Sequence, residues 1–359
     1  MASVIVFCKT LVKGGAEKQA LTLARLLADR STDVVVVSWS RKKVDPRNHE
    51  FIIQNSLKYY GLHGGLLMRL IQFNQIIKKE KANVIIAYLT LANFVSGISR
   101  LFNRDIVTLG GIRTEKLPLY KFVVEKFVHN HLNDATIFNN YSAKAKFTER
   151  GFNPDKIFVI HNAISRFKPE NLARDENVIG VITVARFVGA KDFRTGLLAF
   201  KKLTDRTTNR TIRYILVGYG PMESDIRMMI RSFGLEGKVE NIINPPDVSY
   251  YLGNADIYLS TSLFEGLSNS LMEAMMARLP IVATNVGDNS FLVKDRYNGY
   301  LVPLQDVDET ASKLEILATS GEMRKRFGSN SYALITGNFN EEKLTESYLE
   351  LIGQIQAKP

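Results

Sequence analysis

The sequence predicts an α/β protein with two domains, each built around a parallel β-sheet. Short apolar segments of strand length alternate with amphipathic helical segments along the whole 359-residue chain. The length suits two domains, and a hydrophobic content of 45% can fill two cores. A polar stretch at residues 162–177 separates two similar runs of strands and is the predicted linker.

The predicted strands fall into two sets. The first domain, residues 1–165, contains the segments 3–7, 34–38, 84–88, 106–109, 135–138 and 157–160. The second domain, residues 166–340, contains the segments 178–184, 212–217, 239–243, 256–260, 280–283 and 300–302. Each domain is predicted to be Rossmann-like, because strands and helices alternate through it, as they do in parallel α/β sheets. A last helix is predicted at residues 341–356.

The composition indicates which cellular location to expect and argues against disulfides, a signal peptide and a membrane span. A single cysteine, Cys8, lies in an apolar strand segment, so neither a disulfide framework nor a cysteine-based metal site is expected. The N-terminal segment lacks the basic region and the long apolar run of a signal peptide. Residues 82–99 carry no charge, but polar residues interrupt them, which favours a strand and a helix over a membrane span. The predicted location is the cytoplasm.

The positive charge is concentrated in the first domain. Residues 1–165 contain 24 Lys and Arg against 12 Asp and Glu, a balance of +12, whereas the whole chain has +11. The remainder of the chain therefore has a balance of −1. This asymmetry indicates an anionic partner of the first domain: nucleic acid, a phospholipid surface or a phosphorylated acceptor.

Residues 264–284 are the most informative segment. Glu265 follows the strand at 256–260, and Glu273 lies about one turn into the next helix. A short turn between the two glutamates contains Gly266, Leu267 and Ser268. Its backbone N–H groups could hold a phosphate while the two carboxylates bind hydroxyl groups, as a nucleotide-activated sugar would require. The alternative is an ordinary strand–turn–helix with solvated glutamates.

This segment resembles the paired-glutamate signature of retaining glycosyltransferases with the GT-B fold, specifically carbohydrate-active family four, the glycosyl transferases group 1. The resemblance implies two Rossmann-like domains that face a central cleft. The first domain would bind the acceptor and the second the nucleotide-sugar donor. It also implies that the helix at residues 341–356 crosses back onto the first domain.

Two glycine-rich turns fit the same family. Gly14 and Gly15 follow the first strand and open a helix predicted at residues 16–29. In related enzymes the corresponding loop closes over donor and acceptor, although any strand-to-helix turn could use glycines. Gly218 and Gly220 form a tight turn in the second domain, where a nucleotide could approach the backbone. The resemblance assigns all four glycines to donor binding.

Arg186 and Lys191 follow the first strand of the second domain, five positions apart. Family members use the matching Arg and Lys to bind the donor diphosphate. Fixed cations would offset the negative charge that grows on the leaving group as the sugar–phosphate bond breaks. Two solvated loop cations are the alternative.

The first domain departs from the family pattern after the strand at residues 106–109. Several relatives have a histidine in this loop, whereas this chain has Gly-Gly-Ile-Arg-Thr-Glu at 110–115. Arg113 could bind an anionic acceptor or the diphosphate, or be a solvated loop arginine. A histidine-based acid/base step is therefore not expected.

The resemblance implies retaining transfer of a sugar from a nucleotide-sugar donor to a hydroxyl of a saccharide or lipid-linked saccharide, in cell-surface glycan biosynthesis. UDP is favoured over GDP. Glu265, Arg186 and Lys191 would be catalytic, and Glu273 would hold the ribose. No cofactor or divalent metal is expected. A GT-B nucleotide-sugar epimerase is the nearer alternative. A basic nucleic-acid-binding protein is more distant, because the donor-site segments have no place in it.

A basic, apolar segment at residues 114–133 leaves one further alternative. Leu119, Val123 and Phe127 interleave with lysines, together with Phe122 and Val128. This pattern suits either a core helix with solvated lysines or a helix on an anionic membrane surface. The second reading would place the protein at the inner face of the cell membrane.

Overall fold

The computed structural model describes residues 3–12, 14–114, 117–164 and 177–357. The chain divides into two compact units. The first unit comprises residues 1–163 and 341–359, and the second comprises residues 164–340. Most of the predicted linker, residues 165–176, lies outside the described residues.

In the described part of the first unit, seven parallel strands form one sheet with the order β3-β2-β1-β4-β5-β6-β7. Strands β1 and β4 are buried at every residue, which shows that both faces of the sheet are covered. The strands are β1 (Ser3–Cys8), β2 (Asp33–Ser38), β3 (Lys58–Gly61), β4 (Val84–Tyr88), β5 (Val107–Ile112), β6 (Ala135–Phe138) and β7 (Ile157–Val159).

The helices of the first unit are divided between the two faces of its sheet. The first six are α1 (Gly15–Ala28), α2 (Pro46–Gln54), α3 (Leu66–Lys79), α4 (Leu89–Phe102), α5 (Leu119–Phe127) and α6 (Tyr141–Glu149). Helices α1 and α2 pack on one face, with alternate β1 residues such as Val4 and Val6. Helices α3 and α4 pack on the other face, with Ile5 and Phe7. Helices α5 and α6 extend this second face toward β6.

In the described part of the second unit, six parallel strands form a sheet with the order β10-β9-β8-β11-β12-β13. The strand order reverses direction at β8 and β11, and ligands of open α/β sheets commonly bind where such strands end. The strands are β8 (Val178–Arg186), β9 (Thr211–Tyr219), β10 (Val239–Ile243), β11 (Ile257–Ser260), β12 (Ile281–Thr284) and β13 (Gly299–Val302).

The helices of the second unit include the one predicted after the paired-glutamate turn. They are α7 (Phe193–Arg206), α8 (Glu223–Ser232), α9 (Ser249–Gly253), α10 (Asn269–Met276), α11 (Asn289–Leu292), α12 (Val307–Thr319) and α13 (Gly321–Asn338). Helix α10 has an apolar face whose four members are all buried: Leu271, Met272, Met275 and Met276. This face anchors α10 in the core beside β11 and β12.

The last helix, α14 (Glu341–Gln356), belongs to the first unit although it follows the second unit in sequence. Its residues Leu344, Tyr348 and Leu351 are buried in the same core as α1. Arg25 of α1 donates to Glu341 at 2.7 Å. The helix therefore completes the face of the first sheet that α1 and α2 cover.

Two features of the first sheet were not predicted. The edge strand β3 has no fully buried residue, so it lacks the apolar pattern by which the other strands were recognised. Strand β5 was predicted to end at residue 109, which was wrong, because it continues to Ile112. The Asn93 amide donates to the Gly111 carbonyl at 3.2 Å and accepts from its N–H at 3.0 Å. A side chain of α4 thus satisfies the extended backbone at the point where β4 ends.

Candidate active site

A largely enclosed ion pair lies at the ends of β8 and β11 in the second unit. The Lys191 ammonium donates a hydrogen bond to Glu265, and the two side chains are 18% and 11% exposed. They share a pocket with several hydroxyl and backbone groups, lined by Thr183, Val184, Ala185, Lys191, Tyr258, Ser260, Thr261, Ser262, Glu265 and Ser270. The structure therefore brings together two residues that lie 74 positions apart and that the sequence predicted to be catalytic.

Backbone contacts hold Lys191 in this position. It ends a short 3₁₀ turn, Gly189–Lys191, and Asp192 after it adopts a left-handed conformation with φ of 43°. The Thr261 hydroxyl donates to the carbonyls of Lys191 and Asp192, at 3.2 and 2.9 Å. Leu263 donates its N–H to the Ala190 carbonyl at 2.8 Å. The loop after β11 thus fixes the turn that presents the lysine.

Hydroxyl groups surround the glutamate end of the pair. The Ser262 hydroxyl donates to Glu265 at 2.8 Å, so Glu265 accepts from two side chains on the same oxygen. The buried Tyr258 hydroxyl lies 2.9 Å from Ser270 and 3.2 Å from the Val184 carbonyl. Burial raises the pKa of Tyr258 above its ordinary value, and the charges of Glu265 and Glu273 raise it further.

The paired-glutamate turn takes the predicted form. Ser268 precedes α10, and Glu273 is the fifth residue of that helix and half-buried. The Ser268 hydroxyl lies 3.3 Å from Ser270 and does not cap the helix by a hydrogen bond of its own. Gly266 is half-buried and Leu267 is buried. The donor contacts assigned to Gly266, Leu267, Ser268 and Glu273 remain predictions.

Arg186 is the last residue of β8 and is exposed. It pairs with Tyr219 in the register of β8 and β9. Its backbone is therefore part of the sheet, and its side chain is open to solvent at the strand end. Its predicted role toward the diphosphate remains a prediction.

Gly218 and Gly220 allow a close approach of protein backbone. A side chain at Gly218 would collide with the Ala185 carbonyl, and one at Gly220 would lie 2.5 Å from the Phe187 carbonyl. Gly220 also has φ of 153°, a conformation that other residues rarely adopt. Packing between the ends of β8 and β9 therefore accounts for both glycines. Donor binding at these positions remains a prediction.

The Gly14–Gly15 turn of the first unit contains a carboxylate. The Glu17 carboxyl folds back against Gly14. Burial raises the pKa of Glu17 above its ordinary value. An anionic ligand at this turn would meet the Glu17 carboxyl, and the donor role of the two glycines remains a prediction.

Arg113 is not a solvated loop arginine. Its guanidinium donates to the Tyr348 hydroxyl at 2.9 Å and to Asn162 at 3.4 Å. It also lies over the Tyr88 ring, 4.9 Å from the centroid. These contacts tie the end of β5 to α14, so the structure gives Arg113 a packing role. Its predicted role toward the acceptor remains a prediction.

Two buried residues of the first unit, His129 and Glu125, have shifted pKa values that were not predicted from the sequence. His129 contacts Thr136 and the Asn153 carbonyl, and burial lowers its pKa to about 4. Glu125 accepts from the Asn93 amide at 3.0 Å, and burial raises its pKa to about 7. Both side chains are buried inside the first unit.

Sequence reasoning missed Tyr258, Thr261 and Ser262, which support the ion pair. A signal was present, because four hydroxyl-bearing residues occur within Tyr-Leu-Ser-Thr-Ser at the carboxyl end of a predicted strand. The spacing could not show which hydroxyl would meet Glu265. Among the described residues, no group of three or more His, Cys, Asp or Glu side chains could hold a metal ion.

Two family models match this chain. The model for glycosyl transferases group 1 matches residues 165–334, and the model for glycosyltransferase family 4 matches residues 13–166. Together they extend from residue 13 to residue 334, through both units of the structure.

Individual relatives match over most of their length. A lipopolysaccharide core biosynthesis glycosyltransferase, LpsE of Rhizobium meliloti, is 22% identical over 94% of this chain and 96% of its own. An Escherichia coli UDP-Gal:alpha-D-GlcNAc-diphosphoundecaprenol alpha-1,3-galactosyltransferase is 22% identical over 79% of each chain.

The fold is that of solved glycosyltransferases. The crystal structure of Anabaena HepE in complex with UDP superposes with a TM-score of 0.83. It covers 98% of this chain and 100% of that chain, at 17% identity. The predicted fold class is thereby confirmed. The chain is a glycosyltransferase with the GT-B fold, and it belongs to the glycosyl transferases group 1, family 4.

Proposed function

We propose that this glycosyltransferase transfers a sugar from a UDP-sugar to a saccharide hydroxyl, with retention of configuration, in cell-surface glycan biosynthesis. The observation that carries the proposal is the Lys191–Glu265 pair in its hydroxyl-lined pocket. An ammonium group has three donors, and Glu265 uses one of them. The remaining donors of Lys191 can bind the diphosphate while Glu265 keeps the amine in place.

The leaving group sets the main electrostatic requirement. Negative charge grows on the nucleoside diphosphate as the sugar–phosphate bond breaks, so cations fixed in advance stabilise the transition state more than the ground state. Lys191 is held by both its side chain and its backbone carbonyl. Arg186, at the exposed end of β8, supplies the second cation.

Retention follows if the acceptor attacks from the face that the phosphate leaves. The anomeric carbon–phosphate bond breaks with its electron pair moving to the phosphate oxygen, and the acceptor oxygen forms the new bond through a short-lived oxocarbenium-like ion pair. The departing phosphate takes the acceptor proton, so this step needs no enzymic nucleophile and no histidine. Glu265 binds donor-sugar hydroxyls, and Glu273 binds the ribose.

Relatives support the choice of substrates. UDP is bound in the HepE structure, and UDP-Gal is named as the donor of the Escherichia coli relative. That relative acts on a diphosphoundecaprenol-linked sugar, and LpsE acts in lipopolysaccharide core biosynthesis. We therefore propose a UDP-sugar as donor and a saccharide or lipid-linked saccharide as acceptor.

The test is release of nucleoside diphosphate from a panel of UDP- and GDP-sugars, with Arg186→Ala and Glu273→Ala alongside the wild type. We expect slow hydrolysis of one UDP-sugar and a loss of at least about 100-fold in both variants. Arg206→Ala is the matched control, because Arg206 forms exposed ion pairs on α7 of the same unit. Equal rates in wild type and Arg186→Ala would contradict the assignment of Arg186.

Two further measurements examine the mechanism. Activity retained in EDTA is expected for a reaction that uses no divalent metal, and abolished activity would contradict that expectation. With an acceptor supplied, NMR of the product should show the anomeric configuration of the donor. Conversion of the sugar without any acceptor would instead indicate an epimerase.

A further inference from the structure

The two oxygens of the Glu265 carboxylate have different surroundings. Its Oε1 atom accepts two hydrogen bonds, one from the Lys191 ammonium and one from the Ser262 hydroxyl at 2.8 Å. Among the described residues, no protein group donates to Oε2. The side chain is 11% exposed, and Oε2 is not one of the buried polar atoms that lack a partner. Oε2 is therefore the oxygen that is open to a ligand.

A single hydrogen bond would leave the direction of this carboxylate loosely defined. The last torsion of a glutamate side chain is broad, so the carboxylate plane can turn about it when one donor holds the group. Two donors from two different segments of the chain fix that plane, and they thereby fix the position of the second oxygen. Lys191 provides one of these donors, and Ser262 provides the other.

Ser262 is itself held by neighbouring segments. It is 1% exposed and lies two residues after Ser260, the last residue of β11. The Ser262 carbonyl accepts from the buried Thr284 hydroxyl at 2.7 Å, at the end of β12. The next residue, Leu263, donates its N–H to the Ala190 carbonyl at 2.8 Å. These contacts on both sides place the Ser262 hydroxyl before any ligand binds.

The hydroxyl of Ser262 has one proton to donate, and Glu265 is its better acceptor. The Ser260 hydroxyl is 3.5 Å away, whereas Glu265 Oε1 is charged and 2.8 Å away. The adjacent residue shows the other choice open to a buried hydroxyl, because Thr261 donates to backbone carbonyls. The hydroxyl of Ser262 thus acts on the carboxylate rather than on the backbone.

We propose that Ser262 is a positioning residue for sugar transfer. It orients Glu265 so that Oε2 accepts a hydrogen bond from a hydroxyl of the donor sugar. This inference rests on the proposed function, in which Glu265 binds donor-sugar hydroxyls. In that function Arg186 and Lys191 bind the diphosphate, and Glu273 binds the ribose. Loss of the Ser262 hydroxyl should therefore weaken the binding of a UDP-sugar more than the binding of UDP.

The test compares the wild type with Ser262→Ala by calorimetry, using UDP and the UDP-sugar that the wild type binds. We expect the Kd of the UDP-sugar to rise at least about tenfold, the effect of losing a hydrogen bond to a charged group. The Kd of UDP should change less than about threefold, and kcat/KM for donor hydrolysis should fall with the affinity for the UDP-sugar. Ser331→Ala is the matched control, because it removes another buried hydroxyl of the same unit, one that donates to the Asn298 carbonyl.

A double-mutant cycle examines whether Ser262 acts through Glu265. Glu265→Ala removes the carboxylate, so adding Ser262→Ala to it should change the Kd of the UDP-sugar by no more than about twofold. A serine with a merely structural role would weaken binding by the same factor in both backgrounds, and that result would overturn the inference. Calorimetry suits this cycle because it does not depend on turnover.

The remaining outcomes separate the inference from the proposed function. Equal affinity of the wild type and Ser262→Ala for the UDP-sugar would overturn the inference and leave the proposed function in place. Equal weakening for UDP and the UDP-sugar would also overturn it, because Ser262 would then support the whole site. A wild type that binds neither UDP nor any UDP-sugar would overturn the proposed function, and the inference with it.

Discussion

The two units have the same layered architecture but differ in what their strand ends carry. In the second unit, the ends of β8 and β11 hold a largely enclosed lysine–glutamate pair within a set of hydroxyls. In the first unit, the turn after β1 holds the folded-back carboxyl of Glu17, and the end of β5 holds Arg113 against α14. In the first unit, the charged side chains at these two positions thus contact protein groups of the same unit: Glu17 lies against Gly14, and Arg113 donates to Tyr348.

The outer surfaces differ as well. The first unit has most of the exposed apolar side chains and the basic excess of the chain, whereas the second has nearly balanced charge. The same layered architecture therefore carries an enclosed ion pair in the second unit and a larger exposed apolar surface in the first. Within this shared architecture, the side chains at the strand ends and on the outer helices are free to vary.

The largest expected effect is at the ion pair. Lys191→Ala should lower the turnover of donor hydrolysis by about 1,000-fold, because it removes a fixed cation beside the leaving group and leaves Glu265 without its ammonium partner. Glu265→Gln should also reduce turnover, and the double variant should lose less than the sum of the two effects. The measurement is nucleoside diphosphate release at saturating donor.

Lys202→Ala is the control for this pair, since Lys202 binds the exposed Asp308 on the same unit. Strict additivity of Lys191→Ala and Glu265→Gln would show that the two residues act separately. Lys191 would then not depend on Glu265 for its position.

A smaller effect is expected where β8 and β9 meet. Gly218→Ala should destabilise the second unit by about 3 kcal/mol, because the added methyl group collides with the Ala185 carbonyl. Gly337→Ala is the matched change in α13, where no atom lies within 4 Å of the new methyl group, and it should be neutral or slightly stabilising. Urea unfolding followed by circular dichroism measures both, and a neutral Gly218→Ala would contradict the packing role.

The pH dependence of the first unit should reveal Glu125. The folded pKa is about 7 against an ordinary 4.5, so the folded state binds more protons between these pH values. Stability contributed by the neutral carboxyl is present below about pH 4.5 and is lost as pH rises to 7. Glu125→Gln should therefore gain stability relative to wild type, on the order of 2–3 kcal/mol, between pH 5 and 8.

The single tryptophan, Trp39, is buried in the first unit, so its fluorescence during urea unfolding reports on that unit. His129 has the opposite dependence, because its pKa is lowered to about 4 and stability is lost as pH falls below 6.5. The wild type and Glu125→Gln both contain His129, so its effect cancels when their free energies of unfolding are subtracted. Glu149→Gln, an exposed change on α6, should follow the wild type. A pH-independent difference for Glu125→Gln would count against this account.

The smallest expected effect concerns the link from β5 to α14. Tyr348→Phe removes the hydroxyl that accepts from Arg113, and it should destabilise the first unit by about 1 kcal/mol. Tyr120→Phe, on an exposed side chain, should change nothing. Trp39 fluorescence again provides the measurement, and equal stability of the two variants would show that the contact is dispensable.

Much of the fold and part of the site could be predicted from the sequence. Buried central strands such as β4 and β6 were predicted residue for residue, because both faces are covered and the apolar run is continuous. The edge strand β3 was missed because pairing with β2, and not an apolar sequence pattern, holds it in the sheet. The end of β5 was missed because the Asn93 side chain, from another element, forms hydrogen bonds with its backbone.

The sequence by itself determined the alternation of strands and helices, the asymmetry of charge and the segments that carry Arg186, Lys191, Glu265 and Glu273. These depend on periodicity and on the types of neighbouring residues, which are local. Only the tertiary structure decided that Lys191 meets Glu265 and which side of α5 faces solvent. It also decided that Ala185 and Phe187 fill the space beside Gly218 and Gly220, at the end of β9. Such contacts join residues tens of positions apart, and the order of strands in the sheet fixes them.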